Sequence, residues 1–272
     1  MSGALLQGDV LLPLEGILRV VQITDTHLMA ERGSTLLAVD TDASLEAVVR
    51  LASTGPNADI ALITGDIAGD GAASAYTRLE QALAPLNCPS FWLPGNHDDI
   101  EEPLQSRFVR RVRTPHWDIV NLNSQIPGQV GGRLEEAELR ALNDAVDAAV
   151  AERKHLLVAM HHPLLPLGVA WLDPQRVANA EAVFQALDAP LHCAVICGHV
   201  HQESDQTYQG IRLLSTPSTC VQFAPGAEDF TADTIGPGYR WLQLYPDGRL
   251  ETGVERVPYE AFPVDLACRG YE

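Results

Sequence analysis

The chain has 272 residues, 46% of them hydrophobic and 20% charged, which is enough apolar material for a sizeable core and excludes a disordered or low-complexity protein. The net charge of −18 argues against broad contact with nucleic acid backbones or anionic membranes. It leaves a small phosphate-bearing substrate open, because bound dications would dominate the local field.

Residues 17–23 are rich in Ile, Leu and Val and predict a buried strand. Residues 42–53 predict a helix, with Asp42 placed to cap it and Leu45, Val48, Val49 and Ala52 forming one stripe. A strand over 60–64, a helix over 72–83 and a strand over 90–93 follow, and this alternation implies right-handed crossovers and a parallel sheet. A helix is predicted over 101–112, a strand over 119–122 and a loop over 125–133, where Pro127, Gly128, Gly131 and Gly132 fall. Residues 134–152 carry Leu139, Leu142, Val146 and Val150 in helical register. Next come a strand over 156–160, a helix over 175–187 and a strand over 194–197. Short strands are predicted over 211–214, 219–223, 239–244 and 250–257, with Pro246-Asp247-Gly248 as a hairpin turn; these would build a mixed or second sheet. Residues 224–238 read as a long loop. The chain reads as one domain over 1–272, with a tail from about 258 to 272 that packs on the core or on the second subunit of a homodimer.

No apolar run approaches the length of a bilayer span. No basic residue precedes Arg19, and Asp9 and Glu15 interrupt the early apolar stretch, so a secretory signal is not expected and the expected compartment is the cytoplasm. The five cysteines show no disulfide framework; Cys193 and Cys197 are expected as core thiols.

Five predicted strands end in residues that bind metals or move protons: Asp25-Thr26-His27, Gly65-Asp66, Gly95-Asn96-His97-Asp98, His161-His162 and Gly198-His199-Val200-His201. Parallel strands aim their carboxyl ends at one crevice, so these groups can converge. Asp25 and His27 lie two apart on an extended segment, as do His199 and His201, and each pair could grip one ion. Asp66 is the candidate bridging carboxylate, since its two oxygens can each bind a metal. Asn96 adds a neutral oxygen, and His161 completes the set. The set contains no cysteine, which suits a pair of Mn or Fe ions, with Zn or Co also compatible. His116, His155 and His192 are read as loop or structural histidines, and Asp70 and Asp99 as capping or loop carboxylates.

All five motifs, in this order, resemble the signature of the calcineurin-like metallophosphoesterases across about residues 19 to 201. The resemblance implies an α/β fold: a four-layer α/β/β/α sandwich of two mixed sheets around a dinuclear centre. It implies that Asp25, His27, Asp66 and His201 hold one metal, and that Asp66, Asn96, His161 and His199 hold the other. His97 is then the catalytic histidine, oriented by Asp98, with Asn96 and His97 meeting the substrate. Spacing leaves the choice between His161 and His162 open, and the family pattern favours the first. Purple acid phosphatases place a metal-binding Tyr soon after the bridging Asp; Ile67-Ala68-Gly69-Asp70 stands here instead.

Residues 22–28 (Gln-Ile-Thr-Asp-Thr-His-Leu), 93–99 (Leu-Pro-Gly-Asn-His-Asp-Asp) and 216–223 (Thr-Pro-Ser-Thr-Cys-Val-Gln-Phe) look like the bacterial class III cyclic nucleotide phosphodiesterases, which hydrolyse 3′,5′-cyclic AMP to 5′-AMP. The chemistry expected is in-line attack at phosphorus by a metal-bridging hydroxide, with His97 protonating the leaving oxygen. The rival readings are a phosphodiesterase of broader specificity, acting on glycerophosphodiesters or 2′,3′-cyclic nucleotides, and a non-catalytic protein-binding scaffold. The first two differ in pocket loops expected at 28–39, 126–133 and 224–238.

Overall fold

The computed structural model describes residues 6–99 and 107–270. Its first half runs β1 (Gln7–Leu11), β2 (Leu18–Ile23), β3 (Thr35–Leu36), β4 (Val39–Asp40), α1 (Thr41–Ser53), β5 (Ile60–Thr64), α2 (Ala73–Ala82), β6 (Ser90–Leu93), β7 (Val109–Arg113) and β8 (Trp117–Asn121). Its second half runs α3 (Glu136–Glu152), β9 (His155–Ala159), α4 (Ala180–Leu187), β10 (Cys193–Cys197), β11 (Ser204–Tyr208), β12 (Ile211–Ser215), β13 (Gly238–Leu244) and β14 (Leu250–Arg256).

One sheet has the order β14-β13-β2-β5-β6, and the other β1-β7-β8-β9-β10-β12-β11. A block of strands is parallel within each: β2, β5 and β6 in the first, β8, β9, β10 and β12 in the second. Antiparallel partners flank them, β13 and β14 on the first and β7 and β11 on the second. Both sheets are therefore mixed.

The period-two alternation of strand side chains produces the layers. On β9, Leu157 and Ala159 enter the core shared with the first sheet, while Leu156 and Val158 enter a second core with Leu142, Val146, Val183 and Phe184 of α3 and α4. Leu45, Val48 and Val49 of α1 and Tyr76 and Leu79 of α2 cover the far face of the first sheet. The result is the expected α/β/β/α sandwich. Between the sheets runs a buried polar chain. Gln22 Nε2 donates to Thr64 Oγ1 and to the Cys197 carbonyl, Thr216 Oγ1 donates to Gln22 Oε1, and Arg240 Nε donates to Thr216 Oγ1. It fixes β2, β5, β10, β12 and β13 to one another.

Several expectations are corrected. Of the helix expected over 101–112, residues 101–106 lie outside the described residues, and residues 109–112 belong to β7, paired with β1 and β8. Val109 and Val112 are three apart, which suits a helix stripe, while Arg110 and Arg111 leave the strand for Glu138 and Asp118. Residues 219–223 form no strand; they wrap the site, with one bridge from Phe223 to Ala232. Asp40, not Asp42, caps α1 by accepting from the Ala43 N–H, and Asp42 pairs with Arg78 instead. The helix expected over 175–187 begins at Ala180, with a separate 3-10 turn over Asp173–Gln175. In the tail, Phe262, Val264 and Cys268 pack, as Trp171 does, against a third cluster that holds Leu37 and Phe223.

Candidate metal centre

Every motif residue sits just past the carboxyl end of its strand. Beyond their paired ends, β2 and β5 stay zipped together: Asp25 N–H donates to the Gly65 carbonyl, His27 N–H to that of Asp66, and Leu28 N–H to that of Ile67. The chain then turns through left-handed backbone. Asp25, His27, Asp66, His199 and His201 have φ of 53°, 44°, 48°, 68° and 49°. Such conformations cost on the order of 1–3 kcal/mol each for residues other than glycine and cluster where function demands them. Glycine is required where loops touch. A Cβ at Gly95 would overlap the Asp66 carboxylate, and one at Gly198 would overlap Asp25 and Thr24.

The side chains converge in two sets that share Asp66. In the first, His201 Nε2 lies 3.3 Å from Asp25 Oδ1 and 3.2 Å from His27 Nε2, which is 3.8 Å from Asp66 Oδ2. In the second, His161 Nε2 lies 3.2 Å from Asp66 Oδ2 and 3.2 Å from Asn96 Oδ1, and His199 Nδ1 lies 3.0 Å from the same Asn96 oxygen. Asp25, His27, Asp66, His161, His199 and His201 are all buried, and Asn96 is half-buried at the rim. Asp25, His27, Asp66 and Asn96 come from the first sheet, and His161, His199 and His201 from the second.

His162 is also near, its ring 4.6 Å from that of His199, but both its nitrogens are engaged. Nδ1 faces Ser124 Oγ at 2.8 Å, and Nε2 donates to the Val130 carbonyl at 3.0 Å. His161 is thus the member of the pair whose Nε2 points at Asp66.

The electrostatics are those of a place prepared for positive charge. Among the described residues no lysine or arginine pairs with Asp25, Asp66 or Asp98. Burial pushes the Asp66 carboxyl up, yet His161, His27 and His97 pull it well below the usual range. Asp25 is likewise lowered, against its burial, by His201. Burial drives His27 down to about 3, despite Asp66. His161 is the exception: against burial, Asp66 and Asp25 raise it to about 9. Asp25, His27 and His201, and likewise Asp25, Asp66 and His161, each bring one ligand atom within 4.8 Å of the others, and these carboxylates and imidazoles, with the Asn96 amide oxygen beside them, fit divalent first-row metals.

His97 stands at the margin, half-buried, its ring 5.0 Å from that of His27. Its N–H holds Asp66 Oδ1 at 2.9 Å, and its Nδ1 faces the Gly69 carbonyl at 3.2 Å. The orienting acceptor is thus Gly69, where Asp98 was expected. The Asp98 carboxylate instead accepts from the N–H groups of Ile67, Ala68 and Gly95 and from the Tyr76 hydroxyl. Burial, with Asp66 nearby, raises Asp98 to about 6, and burial with Asp98 pushes the Tyr76 hydroxyl up.

Sequence reasoning missed the supports. The 216–223 segment holds the first set: Ser218 Oγ donates to the Asp25 carbonyl, the Val221 carbonyl accepts from His201 Nδ1, and Phe223 stacks on the His201 ring at 4.3 Å. Gln175 contacts His199; nothing in its local pattern marks it out.

Residues 18–203 match the family model described as calcineurin-like phosphoesterase. The chain is 46% identical over 262 residues to the 3′,5′-cyclic adenosine monophosphate phosphodiesterase CpdA of Pseudomonas aeruginosa, covering 93% of this chain and 94% of that one. It is 40% identical over 271 residues to CpdA of Escherichia coli K12, covering 96% and 98%. Among solved structures, a dimetal phosphatase from Danio rerio superposes with a TM-score of 0.60 at 15% identity, covering 89% of this chain and 99% of that one. That likeness concerns the fold, and the α/β/β/α sandwich agrees with it. With a family match over more than half its length and relatives aligned end to end, the chain belongs to the calcineurin-like phosphoesterases.

Proposed function

We propose that the chain is a dinuclear-metal phosphodiesterase that hydrolyses 3′,5′-cyclic AMP to 5′-AMP. The observation that carries this reading is the position of Asp66, whose one carboxylate lies between Asp25, His27 and His201 on one side and Asn96, His161 and His199 on the other. The substrate follows from the relatives aligned end to end, which bear the name 3′,5′-cyclic adenosine monophosphate phosphodiesterase. Mn or Fe is the assignment for the ions, with Zn or Co also suited to the donors.

When bound, such ions supply Lewis acidity and lower the pKa of water near phosphorus. The remaining work falls to the chain. The Gly69 carbonyl can only accept, so His97 Nδ1 carries a hydrogen. On this reading Nε2 is the nitrogen that hydrogen-bonds the phosphoryl group and protonates the leaving 3′-oxygen. Asn96 and His97, both on the rim, are the groups a nucleotide meets first, and Asn96 orients its amide between His161 and His199. Hydrolysis breaks the bond from phosphorus to the 3′-oxygen and leaves the 5′-ester intact. The free thiols of all five cysteines support a cytoplasmic placement.

The test is metal-reconstituted hydrolysis of 3′,5′-cyclic AMP beside 2′,3′-cyclic AMP and an aryl phosphodiester, with Asn96→Ala as control. Turnover of 3′,5′-cyclic AMP that falls at least ~100-fold in the variant is expected. Turnover confined to the other substrates would replace the cyclic AMP reading with a broader phosphodiesterase.

A further inference from the structure

Three histidines serve the centre from the second sheet, and each must present a chosen ring nitrogen. The nitrogen that binds a metal is set by what the other one donates to. For His161 and His201 the partner is main chain: Nδ1 faces the Thr64 carbonyl in one and the Val221 carbonyl in the other, both at 2.8 Å. Nε2 is thereby freed in both. His199 differs. Its Nδ1 faces Asn96 and its Nε2 lies 3.0 Å from Gln175 Oε1.

A glutamine amide can be placed either way round, and its other contact decides the matter. Gln175 Nε2 donates to the Trp171 carbonyl at 3.0 Å. A carbonyl accepts only, so the amide nitrogen must face Trp171 and the amide oxygen must face His199. That oxygen also accepts only. The hydrogen of neutral His199 therefore sits on Nε2, and the lone pair sits on Nδ1, toward Asn96 and the second metal position. The residue is fixed to do this: its N–H donates to the Leu172 carbonyl, and its own carbonyl accepts from the Gly132 N–H.

We propose that Gln175 is a positioning residue that sets the metal-binding tautomer of His199, and so governs capture of the second ion while leaving the first untouched. The inference rests on the dinuclear reading above. It singles out the second site as the one whose histidine hangs on an exchangeable side chain, carried on the 3-10 turn of a loop outside both sheets.

The experiment titrates Mn2+ into metal-free wild type, Gln175→Leu and Gln175→Glu, counting ions bound and following the His199 ring nitrogens by 15N spectra of the metal-free proteins. Leucine keeps the bulk and removes the acceptor; glutamate keeps the acceptor. In Gln175→Leu the second ion is expected to bind ~10–100-fold more weakly, with the first unchanged and the His199 proton no longer held on Nε2. Gln175→Glu, which keeps the acceptor while losing the donor to Trp171, is expected to retain the Nε2–H signature and to bind the second ion more tightly than Gln175→Leu. A second-ion affinity in Gln175→Leu equal to wild type would overturn the inference. So would equal loss in both variants with Nε2–H retained, since the role would then be packing. Wild type binding a single ion would overturn the dinuclear reading, and this inference with it.

Discussion

Asp98 is the residue whose replacement separates two accounts of the site. Its carboxylate accepts four hydrogen bonds, from the N–H groups of Ile67, Ala68 and Gly95 and from Tyr76 Oη, at 2.8 to 3.1 Å. Ile67 and Ala68 follow Asp66, and Gly95 precedes Asn96 and His97, so one buried side chain ties together two of the loops that carry the candidate centre. In Asp98→Asn one oxygen becomes an amide that cannot accept. With Oδ1 kept toward Ala68 and Tyr76, the Gly95 N–H faces another donor, at a cost of about 1–3 kcal/mol. For a chain of this size that lowers Tm by roughly 2–12 °C, measured by calorimetry on the metal-loaded protein. Loosening of the loop bearing Asn96 and His97 should also lower kcat, by up to ~100-fold if these groups shift by ~1 Å. Asp98→Ala strands all four donors, a loss that approaches the ~5–15 kcal/mol net stability of a typical domain, and is expected not to fold. The reasoning fails if Asp98→Asn leaves Tm unmoved and alters only the pH profile of kcat. That outcome would place Asp98 on the His97 ring.

Gly95→Ala should weaken capture of both ions and lose most turnover, because its Cβ falls on the shared Asp66 carboxylate and on the Asp66 backbone nitrogen; full metal stoichiometry by elemental analysis would contradict the close approach. Chelated protein should be destabilised by acid between about pH 6 and pH 4. Burial holds His27 and His162 at about 3 and His199 well below its ordinary value, so over that range the unfolded chain binds more protons at these rings, and stability falls as pH falls. Each ring contributes a slope of up to about 1.4 kcal/mol per pH unit. Asp98, raised to about 6, opposes them with one proton of the other sign, and a urea midpoint flat across pH 4–6 would refute the balance.

Much of this molecule is legible in its sequence because burial on both faces writes itself as apolar runs. The strands expected over 60–64 and 90–93 coincide with β5 and β6, whose residues are buried almost throughout. β11 is illegible for the opposite reason. Its sequence, Ser-Asp-Gln-Thr-Tyr, is a polar edge with no fully buried residue, and it is a strand because β12 offers it a partner. β7 misleads through Val109 and Val112, whose helical spacing hides that Arg110 and Arg111 reach across to carboxylates of α3 and β8. At the centre, residues that would touch metal stand out by chemical type at strand ends. The groups that hold them do not: the Gly69, Thr64 and Val221 carbonyls belong to the main chain, and Gln175 meets His199 only through tertiary structure.

The division of the site between the sheets bears on assembly. His199 N–H reaches the Asp25 carboxylate across 174 positions of chain, and neither sheet alone offers a complete set for either ion. High-affinity metal capture therefore cannot precede docking of β9 and β10 against β2 and β5. A chain stalled before that step would lack His201 for the first ion and both His161 and His199 for the second. Stoichiometric metal uptake is then a certificate that the two halves of the molecule have met, available before any substrate is added.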